Sequence, residues 1–525
     1  MIHRILIIRF GSLGDIILSS AAVMNLRLSF PQHEIVYLTK PAYHGVVSLM
    51  PGVDEVVCLP PGDSVLQEVK SFLNLDDRNF DLVVDLHGQP RSLLARKLIG
   101  AGQTVVYPKR RLERFLATRR NKRLPKTWPH TIDLYNAAVV EAGGRDLAGR
   151  PILNVDSERP SPEYRGLTAD HPTVVIAPGA AHATKQWPVD RFVRVAEELH
   201  KKLGASIIWA TTSSDPSAKA DLAGIRPGRL IRLIDAPLPE LAAAMRRAAV
   251  TVANDSGAAH LSSAVGSPVV AIFGPTHPIL GFAPRGLFDQ VIQTDEFCRP
   301  CSLHGKKPCW RESRFCLERL EVAEVAEVAL ASARSSLSAK PALFVDRDGT
   351  IIIDKHYQSD PDGIELIDGA IEGLREAAQA GYRIVILSNQ SGVARGMFDI
   401  DTVERMNRRL TDLLKEAGVA VDGLYYCPHH PAGTVDRWRQ RCDCRKPAPG
   451  MAEQAARELN LDLRRSIVVG DKLDDIMLAQ LIGARSVLVR TGHGREHEQI
   501  LDRSRIICRV AVAADLRQAV RKALG

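Results

Sequence analysis

The chain has 525 residues, too many for one hydrophobic core and enough for roughly three or four domains of ordinary size. With 45% hydrophobic and 25% charged residues its composition is that of a soluble globular protein, and no apolar run approaches the ~18 to 20 residues of a transmembrane helix. The net charge of +8 is local: residues 107 to 130 hold nine Lys/Arg against the single acid Glu113, a surplus that attracts phosphates, an anionic membrane surface or nucleic acid.

At the N-terminus, MIHRILIIRFGSLGD holds an apolar run of only four before Arg9, which suits a first strand better than a secretory signal, and a cytoplasmic protein is expected. Strands are predicted at ILII (5–8), EIVYL (34–38) and DLVVDL (81–86), then at TVVIAP (173–178), SIIWA (206–210), TVAND (251–255) and PVVAIFG (268–274). Helical stretches alternate with them, the pattern of parallel sheets wrapped by helices. A polar, Pro-containing stretch at 156–172 separates the first three strands from the last four, giving two Rossmann-like halves over 1–160 and 161–335. After a helix near 320–333, the small-residue run SSLSAKP is expected to form a linker over 336–341. A third α/β unit over 342–525 has strands at ALFVD, RIVILS, SIVVGD and SVLVR.

Strand one runs into GSLGD, a glycine-bearing loop opening onto a helix, with Asp15 near the helix start. In the second half, VIAPGAAHATKQWP places Lys185 beside another such loop. NDSGAAHL sets Asp255, Ser256 and Gly257 at a helix N-terminus, whose free N–H groups suit a pyrophosphate. On these motifs residues 1 to about 330 resemble glycosyltransferase family 9, the ADP-heptose:lipopolysaccharide heptosyltransferases of the two-domain GT-B fold. The resemblance implies Asp15 as general base for the acceptor hydroxyl and Lys185 on the donor phosphate. Asp255, Ser256, Gly257 and His260 would line the nucleotide-sugar site, and DLHGQPRS (85–92) is similar to the family's second cleft loop. It also implies transfer without a metal ion, an ADP-heptose donor and a lipopolysaccharide inner-core acceptor. The basic segment would then face phosphates and anionic sugars, with peripheral contact at the inner membrane face. No recognised nucleic-acid module accompanies it. A GT-B half that only binds is the alternative.

The nine cysteines are unevenly spent: Cys58 and Cys508 are isolated, and the rest form two clusters, which in a reducing compartment suggest metal. Cys298, Cys301, Cys309 and Cys316 make a CxxC, x7, C, x6, C pattern that suits structural zinc or an iron–sulfur cluster, with unligated thiols as the alternative.

In the third unit each of three strand ends carries a polar cluster: FVDRDGT supplies Asp346 and Asp348, VILSNQSG supplies Ser388, Asn389 and Gln390, and VVGDKLDD supplies Asp471, Lys472 and Asp475. Carboxylates converging from separate strands repel unless a divalent cation neutralises them, and Mg²⁺ suits such oxygen ligands together with a substrate phosphate. CRKP adds Arg445 and Lys446, the latter able to balance charge on a transferring phosphoryl group. Cys427, His429, Cys442 and Cys444 form a CxH and a CxC pair, a closed donor set for structural Zn²⁺, with His430 as a rival ligand. This region resembles the haloacid-dehalogenase (HAD) phosphatases, and within them the D-glycero-D-manno-heptose 1,7-bisphosphate phosphatases and their histidinol-phosphatase relatives. The resemblance favours His429. It implies Asp346 as nucleophile and Asp348 as general acid and base. Mg²⁺ would lie on the carboxylates of Asp346 and Asp471 and the main-chain carbonyl of Asp348. Ser388, Asn389, Gln390 and Lys446 would hold phosphate, Arg445 and Lys472 would help recognise substrate, and no organic cofactor is implied. The sequence departs from the heptose enzymes at Ile352, where they usually show Asn. The expected fold is therefore α/β throughout: a GT-B pair of Rossmann-like domains, then a HAD-like Rossmannoid domain with a zinc-binding loop. The expected activity is bifunctional, acting on a phosphorylated heptose and on ADP-heptose, with a histidinol-phosphate phosphatase as the alternative.

Overall fold

The computed structural model describes residues 3–60, 65–119, 128–155, 171–505 and 510–525. The boundary expected at 156–172 lies mostly outside the described residues, as do 120–127 of the basic segment and Cys508. The chain forms two compact units, Met1–Leu337 and Ser338–Gly525.

The first unit holds two parallel sheets. One is built from β1 (Arg4–Ile8), β2 (Glu34–Thr39), β3 (Glu55–Cys58), β4 (Phe80–Asp85) and β5 (Ala101–Val106), in the order β3-β2-β1-β4-β5. The other comprises β6 (Thr173–Ala177), β7 (Ser206–Thr211), β8 (Leu230–Ile234), β9 (Val250–Asn254), β10 (Val269–Ile272) and β11 (Gln290–Ile292), in the order β11-β10-β9-β6-β7-β8. The second unit has one sheet of β12 (Ala342–Asp346), β13 (Arg383–Asn389), β14 (Gly423–Cys427), β15 (Ile467–Gly470), β16 (Arg485–Val489) and β17 (Ala511–Ala513), in the order β14-β13-β12-β15-β16-β17. Every pairing in all three is parallel.

Each strand order reverses at one place: between β1 and β4, between β6 and β9, and between β12 and β15. At such a reversal the loops leaving the two central strands diverge, and the crevice between them is where open α/β sheets bind ligands. The central strands read as unbroken apolar runs because helices cover both faces; β6 and β9 are buried at every residue.

Two helices that leave these central strands are buried nearly all round, polar residues included. Leu13–Ser29 is buried continuously from Ile16 to Leu28, and it packs on the helices Thr131–Glu141 and Gly257–Ala264. Leu473–Ile482, after β15, buries all but one of its residues. The helix Val189–Leu203 has one wet face instead: Phe192, Val195, Ala196 and Leu199 sit inward at helical spacing, and Gly204 ends it in a left-handed conformation.

The expected linker is corrected by the structure. A helix spans Val322–Ser338, absorbing Ser335, Ser336 and Leu337, because nothing before Pro341 breaks a helix whose Val325, Ala326, Ala329, Leu330 and Ala333 are buried. Lys340 then belongs to the second unit, where its N–H donates to Asn460 O and its carbonyl accepts from Asp462 N.

Candidate active sites

In the second unit, β12 ends on Asp346, buried to 6% exposure. The chain turns at once through Gly349, whose φ of +84° and contact with the Asp471 carboxylate leave no room for a Cβ. Asp348 turns outward, where Arg347 Nη2 (3.0 Å) and Gln390 Nε2 (2.9 Å) donate to it, and Ser388 Oγ lies at 3.4 Å. Arg347 is in turn anchored on Asn407 Oδ1 at 2.9 Å.

Lys446 is buried, with Nζ 2.6 Å from Asp346 Oδ1, 2.6 Å from Asp475 Oδ1 and 2.9 Å from Leu387 O. Burial opposes its charge, but Asp346 and then Asp475 outweigh that and raise its pKa. The Asn389 amide is spent on the backbone of the same residue, accepting from Lys446 N (3.0 Å) and donating to Lys446 O (3.1 Å). The Asn389 side chain thus sets the depth of the lysine.

Asp346, Asp471 and Asp475 bring one carboxylate oxygen each within 4.8 Å of the others, all buried. One buried lysine does not neutralise three such acids. Burial first, then neighbouring charge, pushes the Asp346 carboxyl up to about 6 and that of Asp471 up to about 8. Asp471 Oδ2 accepts from His493 N at 2.9 Å, whereas its buried Oδ1 has no hydrogen-bond partner. A hard divalent cation fits this oxygen set and its uncompensated charge. Lys472 approaches from the rim, 3.6 Å from Asp354 Oδ2 and 4.0 Å from Asp471 Oδ1. Ile352 is a core residue, clustered with Leu343, Ile351 and Leu374, and its backbone closes the loop of Asp348, its carbonyl accepting from Gly349 N at 2.8 Å.

The Cys/His quartet is drawn together. Cys444 Sγ lies 3.2 Å from Cys427 Sγ and 3.3 Å from Cys442 Sγ, and Cys427 and Cys442 are 3.5 Å apart. His429 Nδ1 is 3.3 Å from Cys444 Sγ and 3.7 Å from Cys427 Sγ. Tetrahedral zinc with Zn–S of about 2.3 Å sets sulfurs about 3.8 Å apart, so this quartet fits that ion after a small expansion. His430 faces elsewhere: its Nδ1 accepts from Ala432 N and its Nε2 meets Arg395 at 3.3 Å. Arg445 Nη1 reaches His429 O at 3.4 Å, tying the end of this loop to the quartet.

In the first unit, Asp15 lies one turn into the helix Leu13–Ser29 and forms a capping box with Ser12, accepting from its N–H (3.2 Å) and Oγ (2.9 Å). Arg9 Nη2, almost fully buried, lies 2.7 Å from the same carboxylate oxygen, and Tyr135 OH is 3.4 Å from the other. Burial would raise the Asp15 pKa, but Arg9 and then Ser12 hold it below the usual carboxylate value. Arg9 was not singled out in the sequence, although a charge ending an apolar strand was a visible signal. Within DLHGQPRS, Asp85 is buried and accepts from His87 N, Gly88 N and Ser92 Oγ at 2.8 to 2.9 Å, so it shapes the loop.

Across the cleft, Lys185 Nζ is 2.6 Å from Asp255 Oδ2, which also accepts from Thr276 Oγ1 at 2.7 Å. Ser256 is the N-cap of the helix Gly257–Ala264, yet its Oγ caps nothing; it and His260 Nδ1 are buried without a hydrogen-bond partner. This helix and that of Asp15 meet near their N-termini: a Cβ on Gly14 would come 2.7 Å from His260 Cδ2. Two positive helix ends and two unspent polar atoms suit an anionic, polyhydroxylated ligand. In the basic segment, Arg114 is buried, 3.1 Å from Thr131 Oγ1 and stacked on Phe282, so it is no part of a surface patch.

Residues 69–307 match the family model described as glycosyltransferase family 9 (heptosyltransferase), and residues 443–519 match one described as HAD-hydrolase-like. The D-glycero-beta-D-manno-heptose-1,7-bisphosphate 7-phosphatase of Photorhabdus laumondii is 48% identical over 154 residues, covering 29% of this chain and 81% of that protein. Two solved structures share the fold of the first unit. The family 9 glycosyl transferase of Veillonella parvula has TM-score 0.52 at 22% identity, covering 63% of this chain and 97% of that one. The Escherichia coli ADP-heptose lps heptosyltransferase II has TM-score 0.51 at 20% identity, covering 64% of this chain and 100% of that one.

Proposed function

Through its second unit the chain belongs to the D-glycero-β-D-manno-heptose-1,7-bisphosphate 7-phosphatase family, and from that premise we propose a bifunctional heptose enzyme of lipopolysaccharide assembly. The second unit hydrolyses the C7 phosphate of heptose 1,7-bisphosphate. The first transfers heptose from ADP-heptose to a lipopolysaccharide inner-core acceptor.

In the phosphatase, the carboxylate of Asp346 attacks phosphorus, the P–O bond to the sugar breaks, and Asp348 gives the leaving oxygen its proton. Asp348, now ionised, takes a proton from water as that water attacks the aspartyl-phosphate, releasing inorganic phosphate and restoring Asp346. Gln390 and Arg347 orient Asp348 for both transfers, and Lys446 balances charge at Asp346. Asp346, Asp471 and the main-chain carbonyl of Asp348 would hold Mg²⁺, which supplies Lewis-acid stabilisation of the phosphoryl oxygens. Ser388, Asn389, Arg445 and Lys472 would hold the sugar phosphate. Cys427, His429, Cys442 and Cys444 would hold Zn²⁺, which would fix the loop carrying Arg445 and Lys446.

In the transferase, Asp15 accepts the proton of the acceptor hydroxyl. Lys185 and the N-terminus of Gly257–Ala264 receive the donor diphosphate, with Asp255, Ser256 and His260 around it. Among the described residues no helix is long and apolar enough to cross a membrane.

The observation that carries the heptose assignment is the 48% identity to a heptose-bisphosphate phosphatase. Steady-state kcat/KM of the full chain on the β and α anomers of the heptose bisphosphate and on histidinol phosphate tests it. The β anomer is expected to be preferred; preference for histidinol phosphate overturns the assignment.

A further inference from the structure

The second cysteine set has no part in either reaction. Cys298, Cys301, Cys309 and Cys316 line a single pocket in the first unit, with Pro275, Trp310, Arg311 and Phe315. None of the four is in a disulfide. Three thiols from one irregular segment and a fourth, Cys316, from the short helix Phe315–Glu318 offer a soft, all-sulfur donor set.

The surroundings carry the matching charge. Arg299, buried to 5% exposure, spends its guanidinium on the carbonyls of Gly274, Thr294, Thr276 and Phe273 and on Gln293 Oε1, all of them neutral acceptors. Arg311 lies 3.9 Å from Cys298 Sγ and stacks on Phe297 and Phe315. A divalent ion with four thiolates carries two surplus negative charges, which the buried Arg299 guanidinium would offset in part; Arg311 is itself paired with the buried Glu296 at 2.6 Å. We propose that Cys298, Cys301, Cys309 and Cys316 together hold one all-thiolate metal centre of iron or zinc, separate from that of the second unit.

The sulfurs stand wider than in the Cys427 quartet: among the described residues no three of them come within 4.8 Å of one another. In a cluster of several iron atoms each cysteine can bind its own metal atom, so the four sulfurs need not meet at one point. A single ion would require the loop to draw inward, to the ligand spacing set by an Fe–S or Zn–S bond of about 2.3 Å.

The centre has a structural consequence. Between Cys301 and Cys309 the loop carries Gly305, which packs against the Lys185 side chain and whose carbonyl accepts from Thr184 Oγ1. Arg314 Nη1 donates to Ala183 O at 2.6 Å, and Cys301 N donates to Pro275 O at 3.0 Å, next to the Thr276 that holds Asp255. Binding metal fixes the backbone behind Lys185.

The test uses the full chain purified without added metal, anaerobically. Elemental analysis compares wild type with Cys309→Ser/Cys316→Ser and with Cys442→Ser/Cys444→Ser. Each double variant is expected to lose one metal complement and keep the other; iron is revealed by visible absorption, zinc by its absence. Should the Cys309→Ser/Cys316→Ser protein misfold, the wild type still answers. Native alkylation read by mass spectrometry should label these four cysteines slowly until a strong chelator is added, then quickly. Metal content unchanged by Cys309→Ser/Cys316→Ser, or labelling equally fast before and after chelation, overturns the proposal.

Discussion

Asp348 is held by hydrogen bonds from Arg347 and Gln390 that orient it without burying it, as a group that both donates and accepts a proton needs. Asp348→Asn should lower kcat by about 10² to 10⁴-fold on the heptose bisphosphate. The loss should shrink on an aryl phosphate, whose leaving group needs no proton, and an equal loss on both substrates would argue against the acid role. The carboxylates beneath it answer to pH. Asp471, pushed up to about 8 by burial and then by Asp346, binds a proton in the folded metal-free protein that the unfolded chain has already released. Metal-free stability is therefore full below the ordinary carboxylate pKa and falls as pH rises towards 8. Mg²⁺ replaces that proton, so the rise in Tm on adding Mg²⁺ should be larger at pH 8 than at pH 6; a pH-independent rise would remove Asp471 from the metal site. The residue types of this site were readable in sequence. Their division of labour was not: the Asn389 amide and the Asp475 carboxylate serve Lys446, a relation made by folding residues 57 and 29 positions apart onto one another.

At the scale of elements, the strands predicted from the sequence were all interior ones. The six not anticipated, β3, β5, β8, β11, β14 and β17, are the six edges of the three sheets. An edge strand meets solvent along one side, so its burial is broken: β5 reads AGQTVV with three exposed residues and β8 reads LIRLI with two. Periodicity cannot find such strands, because their partner and not their composition makes them. The Cys/His loop shows the opposite case. Its cysteines were legible by spacing, and geometry then separated His429 from His430 by giving the latter's ring nitrogens to Ala432 and Arg395. Cys442→Ser should lose the zinc of this loop and raise KM for the bisphosphate more than it lowers kcat, since Arg445 is tied to His429 while Asp346 and Asp348 stand on β12 and the turn after it. A fall in kcat alone would mean that the loop does not position substrate.

For the whole molecule, all three sheets share one device: the charged residues of interest sit at the ends of the pair of strands flanking the reversal or in the segments that follow them. Asp15 and Asp85 follow β1 and end β4, Lys185 and Asp255 follow β6 and β9, and Asp346 and Asp471 end β12 and follow β15. The two units have separate cores and separate machinery. Their chemistry also forbids direct handover, because a sugar 1-phosphate must first be joined to a nucleotide before it can serve as a glycosyl donor. If one chain holds two independent heptose-handling sites, their losses separate when phosphate release from heptose 1,7-bisphosphate and heptosyl transfer from ADP-heptose are measured on the same preparations of wild type, Asp346→Asn and Asp15→Ala. Asp346→Asn should abolish phosphate release with transfer intact, and Asp15→Ala should lower transfer by about 10² to 10⁴-fold with phosphate release intact. Loss of both activities in either variant, or wild-type transfer by Asp15→Ala, would refute two independent sites built on these residues.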